Sequence, residues 1–149
     1  MGDGNSTWLP VSSLITNPEP TTSSNLGGGA WQNWGHSSQN QQAWVSYTWE
    51  EPRIIIGSDA YFGIDGNQNF FPKSYELEYL DESGAWLPIE NHSGYEVVMD
   101  GYSNVTFNPV VAKGIRLTMT PSKDGSAIIK WKVYGWPDAD VSQVEIPVM

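Results

Sequence analysis

Three short segments of this chain bring aromatic rings and side-chain amides together. The first is Gly27-Gly28-Gly29-Ala30-Trp31-Gln32-Asn33-Trp34-Gly35-His36. In the second, Tyr61-Phe62-Gly63-Ile64-Asp65-Gly66-Asn67-Gln68-Asn69-Phe70-Phe71-Pro72, the groups Asp65, Asn67, Gln68 and Asn69 offer hydrogen bonds, and Phe70 or Phe71 offers a ring. The third is Asp100-Gly101-Tyr102-Ser103-Asn104. An aromatic ring stacks on the apolar C–H face of a sugar, and planar amides bond its hydroxyls, so this mixture suits a carbohydrate. Trp34 or Trp31 would take the stacking role. Asp65, Asn67, Asn69 and Asn104 would bond hydroxyls, His36 would donate to an axial hydroxyl if the sugar is galactose, and Phe70 and Tyr102 would add aromatic surface. The plainer uses stay open: one indole plugs the end of the fold, Asp65-Gly66 is a turn and Phe71 is core. No one segment is specific, but three on a rigid frame point to a binding surface, because binding residues concentrate on loops held by a scaffold.

Catalytic chemistry finds less support. A glycosidase needs two carboxylates facing each other across a sugar, one with a raised pKa. Most carboxylates here fall in turns (Glu50, Glu51, Asp81, Glu82, Asp124) or on wet strand faces (Glu76, Glu78), and Asp65 has no partner carboxylate nearby in sequence. His36 and His92 are far apart and outside HExxH spacing, and neither GxSxG nor a phosphate-binding GxxxxGK[ST] occurs. The expectation is a binding module with no catalytic residues.

Composition narrows the partners. Among 149 residues, 17 acidic side chains against 7 basic ones give a formal charge of −10. Nucleic acid and anionic membranes present phosphates that must be met by Lys and Arg, so both are disfavoured. Aromatics reach 13%, with eight Trp, which is far from a disordered composition. With no Cys, disulfides, thiolate chemistry and Cys-based zinc sites are excluded.

The elements that must carry these segments read as strands. Gly (15) and Pro (10) interrupt the chain at short intervals, and period-2 alternation dominates. Strands are predicted at Ala43–Trp49, Arg53–Phe62, Lys73–Leu80, Ala85–Ile89, Tyr95–Met99, Asn104–Val110, Gly114–Thr120 and Ile128–Tyr134. Turns fall at Glu50-Glu51-Pro52, Asp65-Gly66-Asn67, Asp81-Glu82-Ser83-Gly84, Asp100-Gly101 and Lys123-Asp124-Gly125. In Lys73–Leu80, Tyr75, Leu77 and Tyr79 share one face, opposite Ser74, Glu76 and Glu78. Trp44, Trp49, Trp86 and Trp131 are read as sheet-packing residues. About eight short strands imply an all-β, antiparallel sandwich or barrel. Thr16–Gly29 reads as a surface loop or a loosely held cover. The module is expected over residues 1–137, with 138–149 a linker or tail toward a following domain.

The closing stretch Gly114-Ile115-Arg116-Leu117, then Ala127-Ile128-Ile129-Lys130-Trp131-Lys132-Val133-Tyr134-Gly135, resembles the last two strands of discoidin-like (coagulation factor 5/8 type C) domains. Pro72-Lys73-Ser74-Tyr75-Glu76-Leu77-Glu78-Tyr79 and Gly84-Ala85-Trp86-Leu87-Pro88-Ile89 resemble that fold's central strand, turn and Trp. Tyr102-Ser103-Asn104-Val105-Thr106-Phe107-Asn108-Pro109-Val110 is similar to a subgroup appended to bacterial glycoside hydrolases. The resemblance implies a discoidin-like jelly roll that binds carbohydrate through loops at one end, as a monomer. It implies an attached glycoside hydrolase such as a β-galactosidase, on the outside or surface of a bacterium. Galactosides (galactose, lactose, N-acetyllactosamine type) are the first ligand class it implies and arabinose-containing glycans the second. A protein-interaction or adhesion domain of the same fold is the other function considered. Many such domains hold a structural calcium with an Asp in the first loop and a Glu in the last strand. The position of that Glu is Lys130 here, and Asn25-Leu26-Gly27-Gly28 offers no Asp, so no cofactor is expected and calcium is disfavoured.

Overall fold

Strands make up more than half of the described residues, and all of their pairings are antiparallel. The computed structural model describes residues 2–5, 11, 13–24, 30–34, 40–64, 71–123 and 125–135. Within them lie β1 (Gly2–Gly4), the short helix α1 (Ser13–Thr16), β2 (Trp31–Gln32), β3 (Ala43–Phe62), β4 (Ser74–Leu80), β5 (Trp86–Pro88), β6 (Ser103–Thr120) and β7 (Ala127–Gly135). The hydrogen-bonded order is β2-β7-β3-β6-β4-β5, with β1 added on β3.

Two strands turn this ladder into a sandwich. β3 and β6 run for 20 and 18 residues, and at the first of two register shifts in β3 their pairing turns a corner. It stops at Thr48↔Gly114 and resumes at Arg53↔Ala112, so four residues of β3 face Lys113 alone. Pro52 sits in that gap, where its missing N–H leaves no ladder bond to make. Gly114 marks the close approach of the two backbones: a Cβ there would lie 2.8 Å from the Tyr47 carbonyl oxygen. Before this corner, β3 pairs with β1 and the second half of β6, which pairs with β4, and β4 with β5. Beyond it, β3 pairs with the first half of β6 and with β7, which carries β2.

The two layers bury their facing sides. Tyr47 of the first layer stacks on Trp131 of the second with centroids 4.5 Å apart, and its hydroxyl donates to the Trp131 carbonyl oxygen at 3.4 Å. Trp131 in turn donates its indole N–H to Ser58 Oγ at 2.8 Å, the partner a buried indole needs. Phe62 meets Tyr75 edge-on at 5.0 Å. The alternation expected in β4 holds, with Tyr75 and Leu77 buried and Ser74 and Glu76 exposed. The predicted turn at Asp81–Gly84 closes β4 onto β5: the Asp81 carboxylate accepts from Ser83 N, Ser83 Oγ and Ala85 N, and Gly84 takes φ +92°. These bonds, the Ser83 side chain foremost, hold the Asp81 carboxyl below its ordinary pKa.

Three boundaries differ from the sequence reading. Ala43–Trp49 and Arg53–Phe62 are one bent strand, as are Asn104–Val110 and Gly114–Thr120, because the predicted breaks are corners and not reversals. Tyr95–Met99 is not a strand: its groups bond sideways, Tyr95 Oη donating to the Leu77 carbonyl oxygen and Val98 N to Ser103 Oγ. The short β1 and β2 carry no alternation long enough to be predicted. The tail after Tyr134-Gly135 expected as a linker, 138–149, lies outside the described residues.

The Thr16–Gly29 cover is pinned over its described part. Lys130 of β7 is buried, and its ammonium donates to the carbonyl oxygens of Ile15 (3.2 Å) and Asn17. Asn17 Nδ2 donates back to the Ile129 carbonyl oxygen at 2.6 Å. Carbonyl oxygens gathered beside the last strand are calcium-type donors, but a calcium site adds carboxylates, and here an ammonium occupies their midst. These residues do not fit the ion; the lysine supplies the positive charge itself. Chelation by EDTA should therefore leave Tm unchanged, whereas Lys130→Met, which strands two carbonyls, should destabilise by about 2 kcal/mol, or roughly 5 °C in Tm by scanning calorimetry.

Candidate functional site

Three connections leave one end of the sandwich. They join β2 to β3, β3 to β4 and β6 to β7, and the strand ends they join are neighbours: Ala43 pairs with Met119, Ser74 with Thr120 and Phe62 with Ile128. Backbone bonds stitch the bases of these connections together. Gly63 N donates to the Ala127 carbonyl oxygen at 3.0 Å, Ile64 N to that of Ser23 at 2.8 Å, and Lys73 N to that of Thr120 at 2.9 Å. Ser122 Oγ donates to the Phe71 carbonyl oxygen at 2.6 Å, and the Phe71 ring meets Phe62 edge-on at 6.1 Å.

Trp34 stands on this rim. Its side chain is 58% exposed, unusual for an indole and the largest exposure among the described large hydrophobic residues. What holds it out is its neighbour. Asn33 is fully buried; its N–H donates to the Ser126 carbonyl oxygen at 3.3 Å, and its Oδ1 accepts from Ser126 N at 2.8 Å. This two-bond clamp ties the turn before Trp34 to the β6–β7 connection. With Asn33 held inward, the indole next to it points outward. Asn33 was not among the residues chosen from sequence, and an Asn between two Trp carries no signal that separates a clamp from a ligand-binding amide.

Trp31 corrects the sequence reading. It pairs with Ile128 and is fully buried in the main core, so it plugs the sandwich and cannot stack on a ligand. One strand position earlier in the alternation than an outward site, it faces inward while Trp34, beyond the strand, faces out. His36, Asp65, Asn67, Asn69 and Phe70 lie outside the described residues, although the residues that flank them, Trp34, Ile64 and Phe71, all belong to this rim.

Tyr102 and Asn104 lie on the outer side of the second layer near the same end, Ser103 between them pairing with Ala60, two residues before Phe62. The Tyr102 hydroxyl donates to Glu19, its ring meets Tyr61 edge-on at 5.0 Å, and the Lys132 ammonium lies 4.8 Å from its centroid while pairing with Glu19. Asn104 Nδ2 donates to Asp59 Oδ1 at 2.8 Å, and Asp59 Oδ2 accepts from Tyr134 Oη at 2.6 Å. Burial first, and then the Glu19 carboxylate, push the Tyr102 phenol up, while Lys132 and then Tyr102 hold Glu19 down. Both residues thus fasten the 17–24 cover and the strands beneath it.

The cover is also tied at Asp100, which adopts φ +58° in the turn before β6. Its Oδ1 accepts from Ser23 N (2.7 Å) and Thr22 Oγ1 (2.8 Å), and its own N–H donates to Ser23 Oγ at 2.9 Å. The Ser23 amide, then Thr22, hold this carboxyl below its ordinary value of 3.8.

A family model described as the F5/8 type C domain matches residues 3–133. An exo-β-1,6-galactobiohydrolase of Bifidobacterium longum subsp. longum is 30% identical over 105 residues, which is 60% of this chain and 7% of that protein's length. Among solved structures, one of the β-galactosidase BgaA of Streptococcus pneumoniae superposes with a TM-score of 0.70 at 18% identity, covering 91% of this chain and 92% of that one. The family 32 CBM of C. perfringens NanJ, solved with galactose, gives a TM-score of 0.65 at 18% identity over 90% of this chain and 92% of that one. At these identities the structural likenesses establish the shared β-sandwich fold.

Two outcomes follow from this geometry. Trp31→Ala should cost about 3–5 kcal/mol in urea denaturation and Trp34→Ala less than about 0.5 kcal/mol, since only the first opens a cavity. Asp100 has a depressed folded pKa, so its tether is present above the ordinary Asp value and lost as pH falls through the folded one. The hydrogen-exchange protection factor of the Ser23 amide should drop in that acid range, and Asp100→Asn should remove the step.

Proposed function

This chain belongs to the F5/8 type C domain family, and on that premise we propose that it is a non-catalytic carbohydrate-binding module that directs an attached glycoside hydrolase to galactose-containing glycans outside the bacterial cell or on its surface. The observation that carries the reading is Trp34: an indole clamped outward by Asn33 at the rim where three connections meet. An exposed ring on a rigid base loses little conformational freedom when a sugar stacks on it, which is the advantage of preorganisation. In this reading His36, Asp65, Asn67, Asn69 and Phe70 complete the site from the connections whose bases adjoin Trp34.

Galactose is favoured over arabinose by what accompanies related chains: the B. longum relative is a galactobiohydrolase, and the C. perfringens module was solved with galactose. A neutral sugar also suits a domain of charge −10, because stacking and amide bonding need no countercharge. A single shallow site of this kind binds at about millimolar to micromolar Kd, and tethering beside an enzyme on a polymer turns that into useful avidity.

Isothermal titration with galactose and β-1,6-galactobiose tests the reading. Binding in that range is expected, and Trp34→Ala should abolish it while circular dichroism and Tm stay unchanged. Titration that yields no heat with either sugar, or undiminished binding by Trp34→Ala, would remove the rim site.

A further inference from the structure

At the opposite end of the sandwich, near the corner, a cleft of about 480 Å³ opens between the layers. It is lined on one side by Tyr79 of β4, which pairs with Leu87 of β5. Tyr79 stands five residues along β4 from the rim end at Ser74, about 17 Å at strand rise. Small-molecule clefts run roughly from 300 to 1,000 Å³, so the volume suits one or two sugar rings.

The ladder explains why the cleft exists. Between Thr106↔Gly57 and Val110↔Ile55, β6 has three residues where β3 has one. Pro109 sits in this excess and has no N–H to return to the ladder, so Asn108 and Pro109 bulge out beside the cleft. Bulges of this sort commonly lie next to functional sites, where they re-aim a side chain. The facing wall, 88–91, is fixed at both ends. Ile89 is buried and its N–H donates to the Leu77 carbonyl oxygen at 3.2 Å; His92 bridges to Phe107, and Ser93 exchanges bonds of 2.9 Å with Thr106 through its N–H and its Oγ. Asn91, at φ +55°, is thereby held in a left-handed turn at the mouth, with Glu90 beside it.

The lining combines a phenol ring and two prolines with two carboxamides and one carboxylate, and no Lys, Arg or His. An anion has no countercharge here and would meet Glu90. A peptide added to the β5 edge would find a strand of three residues that ends in Pro88. The fitting chemistry is a flat, uncharged molecule with an apolar face and a ring of hydroxyls. We infer that this cleft is a second carbohydrate-binding site, taking one or two neutral sugar units with the Tyr79 side of the cleft against the C–H face and Asn91, Asn108 and Glu90 on hydroxyls. It is independent of the rim site, and the two together let one module hold two glycan segments at once, raising avidity on a polymer without new affinity at either.

The test is a 1H–15N NMR titration of the whole chain carrying Trp34→Ala, with galactose, N-acetylglucosamine and, as the anionic control, glucuronate, each to about 100 mM, well above the weak millimolar limit. One or both neutral sugars should shift the Leu87, Asn91 and Asn108 amides saturably, with glucuronate at least about tenfold weaker. Adding Asn91→Gly, which keeps the left-handed backbone, with Asn108→Ala should weaken the neutral sugar at least about tenfold, with the remaining spectrum unchanged. No shift in these amides with either neutral sugar, equal response to glucuronate, or shifts that survive the two substitutions would each overturn the second site. The same titration of the unsubstituted chain reads the rim separately, through the Asn33, Trp34 and Ser126 amides.

Discussion

The corner at Pro52 and Gly114 is the constraint on which the rest depends. Both layers are built from the same two strands, so the sandwich is one continuous antiparallel ladder folded over where four residues of β3 pass Lys113. Because β3 and β6 cross from layer to layer together, the register of one layer fixes that of the other. This brings Tyr47 onto Trp131 and Phe62 onto Tyr75. It also gathers the β2–β3, β3–β4 and β6–β7 connections at the far end and leaves the bulged stretch of β6 beside the corner. The rim and the cleft are two consequences of one fold-over.

More than half of the few positive charges are spent internally. Arg116 bonds Glu78 at 2.7 Å and lies over Trp86 at 4.5 Å; Arg53 lies over Trp49 at 5.0 Å; Lys130 holds the Ile15 and Asn17 carbonyls; Lys132 pairs with Glu19. Four of the seven basic side chains thus fasten indoles, carbonyls and the cover to the sheets. Such pairs are worth little each at a surface, but they occupy the cations an anionic partner would need. A domain so arranged leaves rings and amides as the chemistry of recognition at the rim and cleft sites proposed above.

Rigidity at both places comes from backbone groups bonded across connections. Asn33 and Ser126 fix the turn that presents Trp34, and Ser93 with Thr106 fixes the wall that presents Asn91. In each case the residue that would touch a ligand is one or two positions from the residue that is clamped. Weak binders gain most from this arrangement, since a shallow site has little interaction energy to set against ordering a loop.

The class of fold was legible in the residues alone. Period-2 alternation in Lys73–Leu80, the Asp81–Gly84 turn and the last-strand pattern around Trp131 are local signals, and local signals survive without knowledge of the partner strand. The residues also place Lys130 where a calcium ligand would be expected. Which way each ring faces came from pairing between distant strands. Trp31 and Trp34 have the same neighbours in type and differ by three positions, yet Trp31 pairs with Ile128 and is buried while Trp34 lies past the strand end and is exposed. Tyr102 and Asn104 read as a binding loop because their partners, Glu19 and Asp59, are 83 and 45 residues away along the chain. The cleft at Tyr79 was invisible for the same reason: a bulge exists only relative to the strand it fails to match, and that strand is not its neighbour in sequence.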